Sequence, residues 1–156
     1  MAIRIEQAKL KDADDLIRLE AKCFGMKYDK NFIYFWKPLI LGAYVYKAVE
    51  GRRIVGGMVA FATKNPRAIY IDSVFTSPEF RHHGVATKFL ERVERDSKCG
   101  KIILDTMNQF EEAVKLYKKL GFKKIRVLKN YYEDDTDRLL MIKKLNPARP
   151  SKRYKL

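Results

Sequence analysis

Apolar residues recur along this chain at two spacings, and the changes between them mark out its elements. Ile3 and Ile5 alternate with Arg4 and Glu6, which predicts a short first strand. Over residues 12–23 the spacing lengthens to three and four, placing Leu16, Leu19 and Cys23 on one face of a helix. A second, aromatic helix is expected over 31–41, where Phe32, Phe35, Trp36 and Leu39 recur at the same spacings and read as core-facing. Three β-rich runs follow, 44–49, 54–63 and 68–76, separated by the turn pairs Glu50-Gly51 and Asn65-Pro66. Helical spacing returns over 85–98, burying Val85, Phe89, Leu90 and Val93 and stopping at Gly100. Residues 102–106 predict a strand. The helix over 110–120 turns Phe110, Ala113, Val114, Tyr117 and Leu120 inward and stops at Gly121, and strands near 124–128 and 138–144 complete the series.

An antiparallel meander followed by strand-helix-strand-helix-strand predicts an α+β fold, a mixed sheet with helices on both faces. With 156 residues, 47% of them hydrophobic, and no Pro/Gly-rich linker, the chain reads as one domain over 1–146 with a tail over 147–156. The two cysteines, Cys23 and Cys99, are far apart and form no C-x-x-C, which points to a reducing compartment. No apolar run reaches membrane-spanning length and the first residues lack a signal-peptide core, so a cytoplasmic protein without membrane contact is expected. Oligomeric state stays open between monomer and homodimer.

Charge alters this picture. The net charge is +14, and Lys143, Lys144, Arg149, Lys152, Arg153 and Lys155 crowd a C-terminal stretch free of acidic residues. Such a stretch reads either as a solvated tail or as a basic arm that touches nucleic acid or a ribosome through phosphates. No RNA-binding motif with stacking aromatics accompanies it, which favours the solvated tail.

The chemistry starts at Arg81-His82-His83-Gly84-Val85-Ala86, between a β-like run and an apolar-periodic helix. Main-chain N–H groups at the start of a helix lack intrahelical partners and sit at the positive end of its dipole, so a pyrophosphate can bind there. Gly84, without a Cβ, and Ala86, with only a methyl, let a phosphate approach the backbone closely. Adjacent histidines on such a turn diverge, and no cysteine or carboxylate nearby has ligand spacing, so no metal is expected.

Read from Val74 to Ala86, this segment resembles the Arg/Gln-x-x-Gly-x-Gly/Ala acyl-CoA signature of the GNAT superfamily of N-acetyltransferases. Leu116-Tyr117-Lys118-Lys119-Leu120-Gly121-Phe122 is similar to that family's Leu-Tyr-x-x-x-Gly-Phe block, and Asn130-Tyr131-Tyr132 resembles its ribosomal-protein alanine acetyltransferase branch. The resemblance implies acetyl-CoA as co-substrate. Its pantetheine would lie along the main chain of Val74, Phe75 and Thr76, and its pyrophosphate on Arg81, His82, His83, Gly84, Val85, Ala86 and Thr87. Tyr117 would be the general acid that returns a proton to CoA sulfur, a role suited to a phenol that stays protonated at neutral pH.

For the general base two carboxylates compete. Asp105 stands where the branch carries a glutamate, one methylene longer; Asp72 lies in a β-run of apolar neighbours, where a buried carboxylate is costly unless bonded or functional. Where the branch has a CoA-contacting asparagine this chain has Phe110, with Asn108 nearby but out of register as a candidate cofactor contact. Tyr131 and Tyr132, on the connection before the last strand, and Tyr28 are candidates for holding the substrate. The implied activity is acetyl transfer to a primary amine, either a protein N-terminus or a small molecule, by direct attack in a ternary complex. The competing class is non-enzymatic: a basic RNA- or ribosome-binding domain, or a CoA sensor.

Overall fold

The computed structural model describes residues 2–65 and 67–146. They form two compact units, one containing the chain up to residue 61 together with 71–95, the other containing 62–70 and the chain from 96 onward. The strands belong to one mixed sheet in the order β1-β2-β3-β4-β5-β7-β6, with ranges given below.

In the first unit β1 (Arg4–Gln7), β2 (Tyr44–Glu50) and β3 (Arg53–Ala62) pair antiparallel, from Arg4 opposite Val49 through Tyr44 opposite Ala60. The fourth strand, β4 (Ala68–Thr76), gives its last six residues to this unit. Two adjacent glycines of β3 explain how closely it is approached. A Cβ on Gly57 would run into the Phe75 ring, and one on Gly56 would lie 2.8 Å from the Phe75 carbonyl and 3.4 Å from Val85 and Phe89. Any side chain there would push β4 and the start of α3 (Val85–Ser97) away from β3.

Helices α1 (Ala13–Phe24) and α2 (Ile33–Gly42) supply the rest of this core, where Leu16, Ile17, Trp36, Ile40, Val45, Val59 and Phe75 are all buried. Phe32 and Phe35, expected in the core, are 49% and 57% exposed. The inward face is set by Ile33, Trp36 and Ile40 instead. Where almost every residue of a helix is apolar, three-and-four spacing fits two faces at once, and Trp36 belongs to both. Asp12, 6% exposed, is compensated by the Lys9 N–H at 2.8 Å and the Lys47 ammonium at 3.0 Å.

The second unit carries β5 (Lys101–Met107), α4 (Glu111–Lys119), β6 (Lys123–Leu128) and β7 (Arg138–Lys144). The last strand inserts between the other two. It pairs antiparallel with β5, from Lys101 opposite Lys144 to Met107 opposite Arg138, and with β6, from Lys123 opposite Ile142 to Leu128 opposite Arg138. Along β5, Ile102, Leu104 and Thr106 are buried, which puts Ile103 and Asp105 on the half-buried face. Helix α4 ends as expected at Gly121, whose φ of 95° suits a glycine, with the Phe122 N–H donating to the Tyr117 carbonyl at 2.9 Å. Phe110 precedes α4 and is 44% exposed, correcting the inward position expected for it. The proposed tail over 147–156 lies outside the described residues. Among the described residues no helix is long and apolar enough to cross a membrane.

Candidate active site

In the first unit β4 leads into a tightly braced turn. Ser77, fully buried, donates its N–H to the Val55 carbonyl at 2.9 Å and its hydroxyl to Glu79 at 2.5 Å. Glu79 also receives Arg53 from β3, and the Arg81 Nε–H donates to the Thr76 carbonyl at 3.3 Å. Ser77 and Arg53, with a main-chain N–H, hold the Glu79 carboxyl down at about 2. A lowered carboxyl stabilises the fold above its ordinary pKa and loses that contribution as pH falls toward the folded value. Glu79→Gln is therefore expected to flatten the fall of melting temperature between about pH 4.5 and 2. Superimposable profiles for variant and parent, measured by circular dichroism, would contradict it.

Beyond that brace the backbone takes two left-handed steps, His82 at φ 63° and Gly84 at φ 74°. The His83 ring Nδ1 lies 2.7 Å from the Arg81 carbonyl, and residues 81–84 are all exposed. The Gly84 carbonyl accepts the Lys88 N–H at 3.0 Å and so opens α3, which leaves the N–H groups of Val85, Ala86 and Thr87 without intrahelical acceptors. A Cβ built on Gly84 meets nothing within 4 Å. The turn thus combines exposed residues at 81–84, helix-start amides without intrahelical acceptors, a positive dipole end and an open approach at Gly84, the properties an anionic pyrophosphate needs. Of the three β4 residues named with it, Phe75 is a core side chain packed edge-on against Phe24 and Trp36, while Val74 and Thr76 are half-buried.

Asp72 is exposed on β4, so the burial cost that singles it out in the sequence does not arise. It bears instead on Glu20, a half-buried carboxylate of α1 absent from the sequence reading. Ser73 donates to Glu20 at 2.6 Å and Trp36 donates its indole N–H. Burial pushes the Glu20 carboxyl up, and the Asp72 charge adds to the rise. Tyr28 donates its hydroxyl to Asp14 at 2.5 Å, a bond that raises the phenol, and the Arg18 guanidinium lies 3.9 Å over its ring; both contacts tie Tyr28 to the flank of α1.

The second unit gathers a different set. Asp105 accepts the Tyr70 hydroxyl on the same carboxylate oxygen that receives Tyr132 at 3.3 Å. Burial first, then the bond to Asp105, pushes the Tyr70 phenol well above its ordinary range; Tyr132 is raised too, chiefly by burial. Tyr132 stacks edge-on with Tyr131 at 5.0 Å, and Arg138 lies 4.7 Å over its ring. Two phenols thus share one carboxylate oxygen, and either can hand a proton to it. Sequence reading found Asp105 and Tyr132 but missed Tyr70, which lies unremarked in the β-rich run 68–76. The two-residue alternation of β4 was the available signal, since it groups Tyr70 with Asp72 and not with Ile71.

Tyr117 of α4 is half-buried, with its ring edge-on to Phe122 at 5.6 Å, and burial pushes its hydroxyl up to about 12. It remains a proton donor throughout the neutral range. Asn108 is exposed after β5 and donates its N–H to the Asp137 carbonyl at 3.3 Å. Among the described residues no group of three or more His, Cys, Asp or Glu side chains is placed to hold a metal.

These features find their counterpart in known proteins. The model of the acetyltransferase (GNAT) family matches residues 13–122, and the chain belongs to that family. An N-alpha-acetyltransferase of Saccharolobus solfataricus is 26% identical over 90% of this chain and 92% of its own length. The Escherichia coli ribosomal-protein-S18-alanine N-acetyltransferase shares the fold at a TM-score of 0.80 and 12% identity, covering 98% of this chain and all of its own. Arabidopsis thaliana Naa50, solved with the bisubstrate analogue CoA-Ac-MVNAL, does so at 0.77 and 22% identity over 93% of this chain and all of its own.

Proposed function

We propose that this acetyltransferase moves the acetyl group of acetyl-CoA to the α-amine of a peptide N-terminus. The observation that carries the donor half is the open, left-handed turn at His82–Gly84, which leads into the start of α3. Arg81, His82, His83 and Gly84 through Thr87 would hold the pyrophosphate there, and the main chain of Val74, Phe75 and Thr76 would hold the pantetheine. For the acceptor, support comes from the near full-length archaeal relative named for α-amine acetylation and from the peptide-bearing analogue bound to a protein of the same fold. An α-amine also suits the chemistry available: its pKa near 8 demands far less of a base than a lysine side chain near 10.4.

The incoming ammonium gives its proton to a tyrosine hydroxyl as that hydroxyl passes its own to Asp105. Either Tyr70 or Tyr132 is placed on the carboxylate for this step. The neutral amine then attacks the thioester carbonyl, a C–N bond forms and the C–S bond breaks. Tyr117 supplies the proton that neutralises the CoA thiolate, the amide nitrogen gives its second proton to solvent, from which Tyr117 is reprotonated, and Asp105 releases the first to solvent to complete the turnover. Tyr131 and Tyr132, on the connection before β7, would hold the acceptor, and Tyr28 is a further candidate for that role. The rival reading, a non-enzymatic RNA- or ribosome-binding domain, rests on net charge alone.

Asp105→Asn tests the assignment. It keeps size and hydrogen bonding to the phenols but cannot take up the proton, so acetyl transfer is expected to fall by roughly 10²–10⁴ at neutral pH, the scale of losing a general base. Acetyl-CoA affinity should hold. A parent-like rate in a folded variant would remove Asp105 from the mechanism.

A further inference from the structure

Glu20 belongs to no motif and takes no part in the steps above, yet its surroundings are specific. The residue sits on α1 one turn before Phe24, whose ring packs on Phe75 of β4, and its carboxylate receives Ser73 of β4 at 2.6 Å and the indole N–H of Trp36 from α2. Trp36 in turn packs edge-on against Phe75 at 6.3 Å. Three elements therefore meet through one carboxylate, beside a hydrophobic cluster that includes Trp36 and Phe75. Hydrophobic contacts alone permit small sliding between packed elements; a charge-assisted hydrogen bond fixes direction and register. The residue fixed here is Ser73, and the next three residues are Val74, Phe75 and Thr76.

We propose that Glu20 is a positioning residue, which through Ser73 holds the β4 main chain over 74–76 in the register that aligns the acyl donor for attack. The proposal rests on the donor reading of β4 given above. Phosphate contacts at the turn would supply most of the donor's affinity, so a loosened β4 shows in turnover before it shows in binding. A displacement of about 1 Å in a reacting group can cost on the order of a hundredfold in rate.

The test compares Glu20→Ala, Glu20→Gln, Ser73→Ala and the Glu20→Ala/Ser73→Ala double variant. Each is measured for acetyl-CoA affinity by calorimetry, for kcat with a peptide acceptor below its melting temperature, and for amide exchange over residues 71–77. Glu20→Ala and Ser73→Ala should each lower kcat by about tenfold or more while acetyl-CoA affinity stays within about threefold, and the double variant should be no worse than either single, because both remove one interaction. Glu20→Gln, whose amide oxygen still accepts from Ser73, should recover most of the rate. Exchange over 71–77 should quicken in Glu20→Ala and not in Glu20→Gln. Parent-like kcat in folded Glu20→Ala, additive losses, or a loss of affinity matching the loss of rate would each overturn the proposal. If the parent itself transfers no acetyl group, the acetyltransfer reading fails, and the exchange measurement alone decides whether Glu20 holds β4: unchanged exchange in Glu20→Ala refutes it.

Discussion

Gly84→Glu is expected to abolish acetyl-CoA binding while leaving the protein folded. Three effects add. The residue holds φ at 74°, which L-residues adopt at a cost of roughly 1 kcal/mol, so the turn itself is strained. The new side chain grows into the open space found around the Gly84 Cβ position, the space a pyrophosphate would enter. Its carboxylate then faces the phosphates: two unit charges 4 Å apart at an effective dielectric of 20 repel by about 4 kcal/mol, roughly a thousandfold in affinity before salt screening. Because nothing lies within 4 Å of that position, packing is not disturbed. Gly84→Ala separates the effects, since it carries the backbone strain without the charge and should weaken binding far less. Calorimetry on both variants, with melting temperatures as the control for folding, reads the difference. Parent-like affinity in folded Gly84→Glu would mean that the phosphates bind elsewhere.

Tyr117→Phe is expected to separate turnover from everything else. The ring stays edge-on to Phe122, so stability should fall by no more than about 1 kcal/mol, the worth of one hydrogen bond. Acetyl-CoA affinity should change little. Turnover should fall by roughly a hundredfold or more, because the thiolate must then leave without a proton from a phenol that burial holds at about 12. At neutral pH the group is protonated when the thiolate forms, as an unshifted phenol would also be. A kcat near the parent's, with an acceptor for which chemistry limits the rate, would return Tyr117 to the core and leave water or another tyrosine as the donor.

Where periodicity is one-sided, the elements were legible from the sequence. Helix α3 alternates Val85, Phe89, Leu90 and Val93 with charged residues, and its buried face is the one expected. Helix α2 is apolar nearly all round, so its extent was readable but its inward face was not, and Phe32 and Phe35 turned out exposed. The open turn at His82–Gly84 was legible because backbone chemistry is written in glycine and in the transition from strand to helix. Clusters assembled across the sheet were not. Tyr70 and Asp105 are 35 residues apart and meet only because β4 and β5 are neighbours, and Glu20 reaches Ser73 across 53 residues. The insertion of β7 between β5 and β6 was equally hidden, since local pattern carries a strand's existence but not its neighbours.

The most direct measurement offers labelled acetyl-CoA with two peptides of one sequence, one with a free and one with a blocked N-terminus, each containing a lysine, and locates the label by mass spectrometry. Acetylation of the free α-amine alone, lost in Asp105→Asn and Tyr117→Phe, is the predicted result. Label confined to lysine would contradict the α-amine reading, and no transfer to either peptide or to small amines from a protein that binds acetyl-CoA would contradict the enzyme itself.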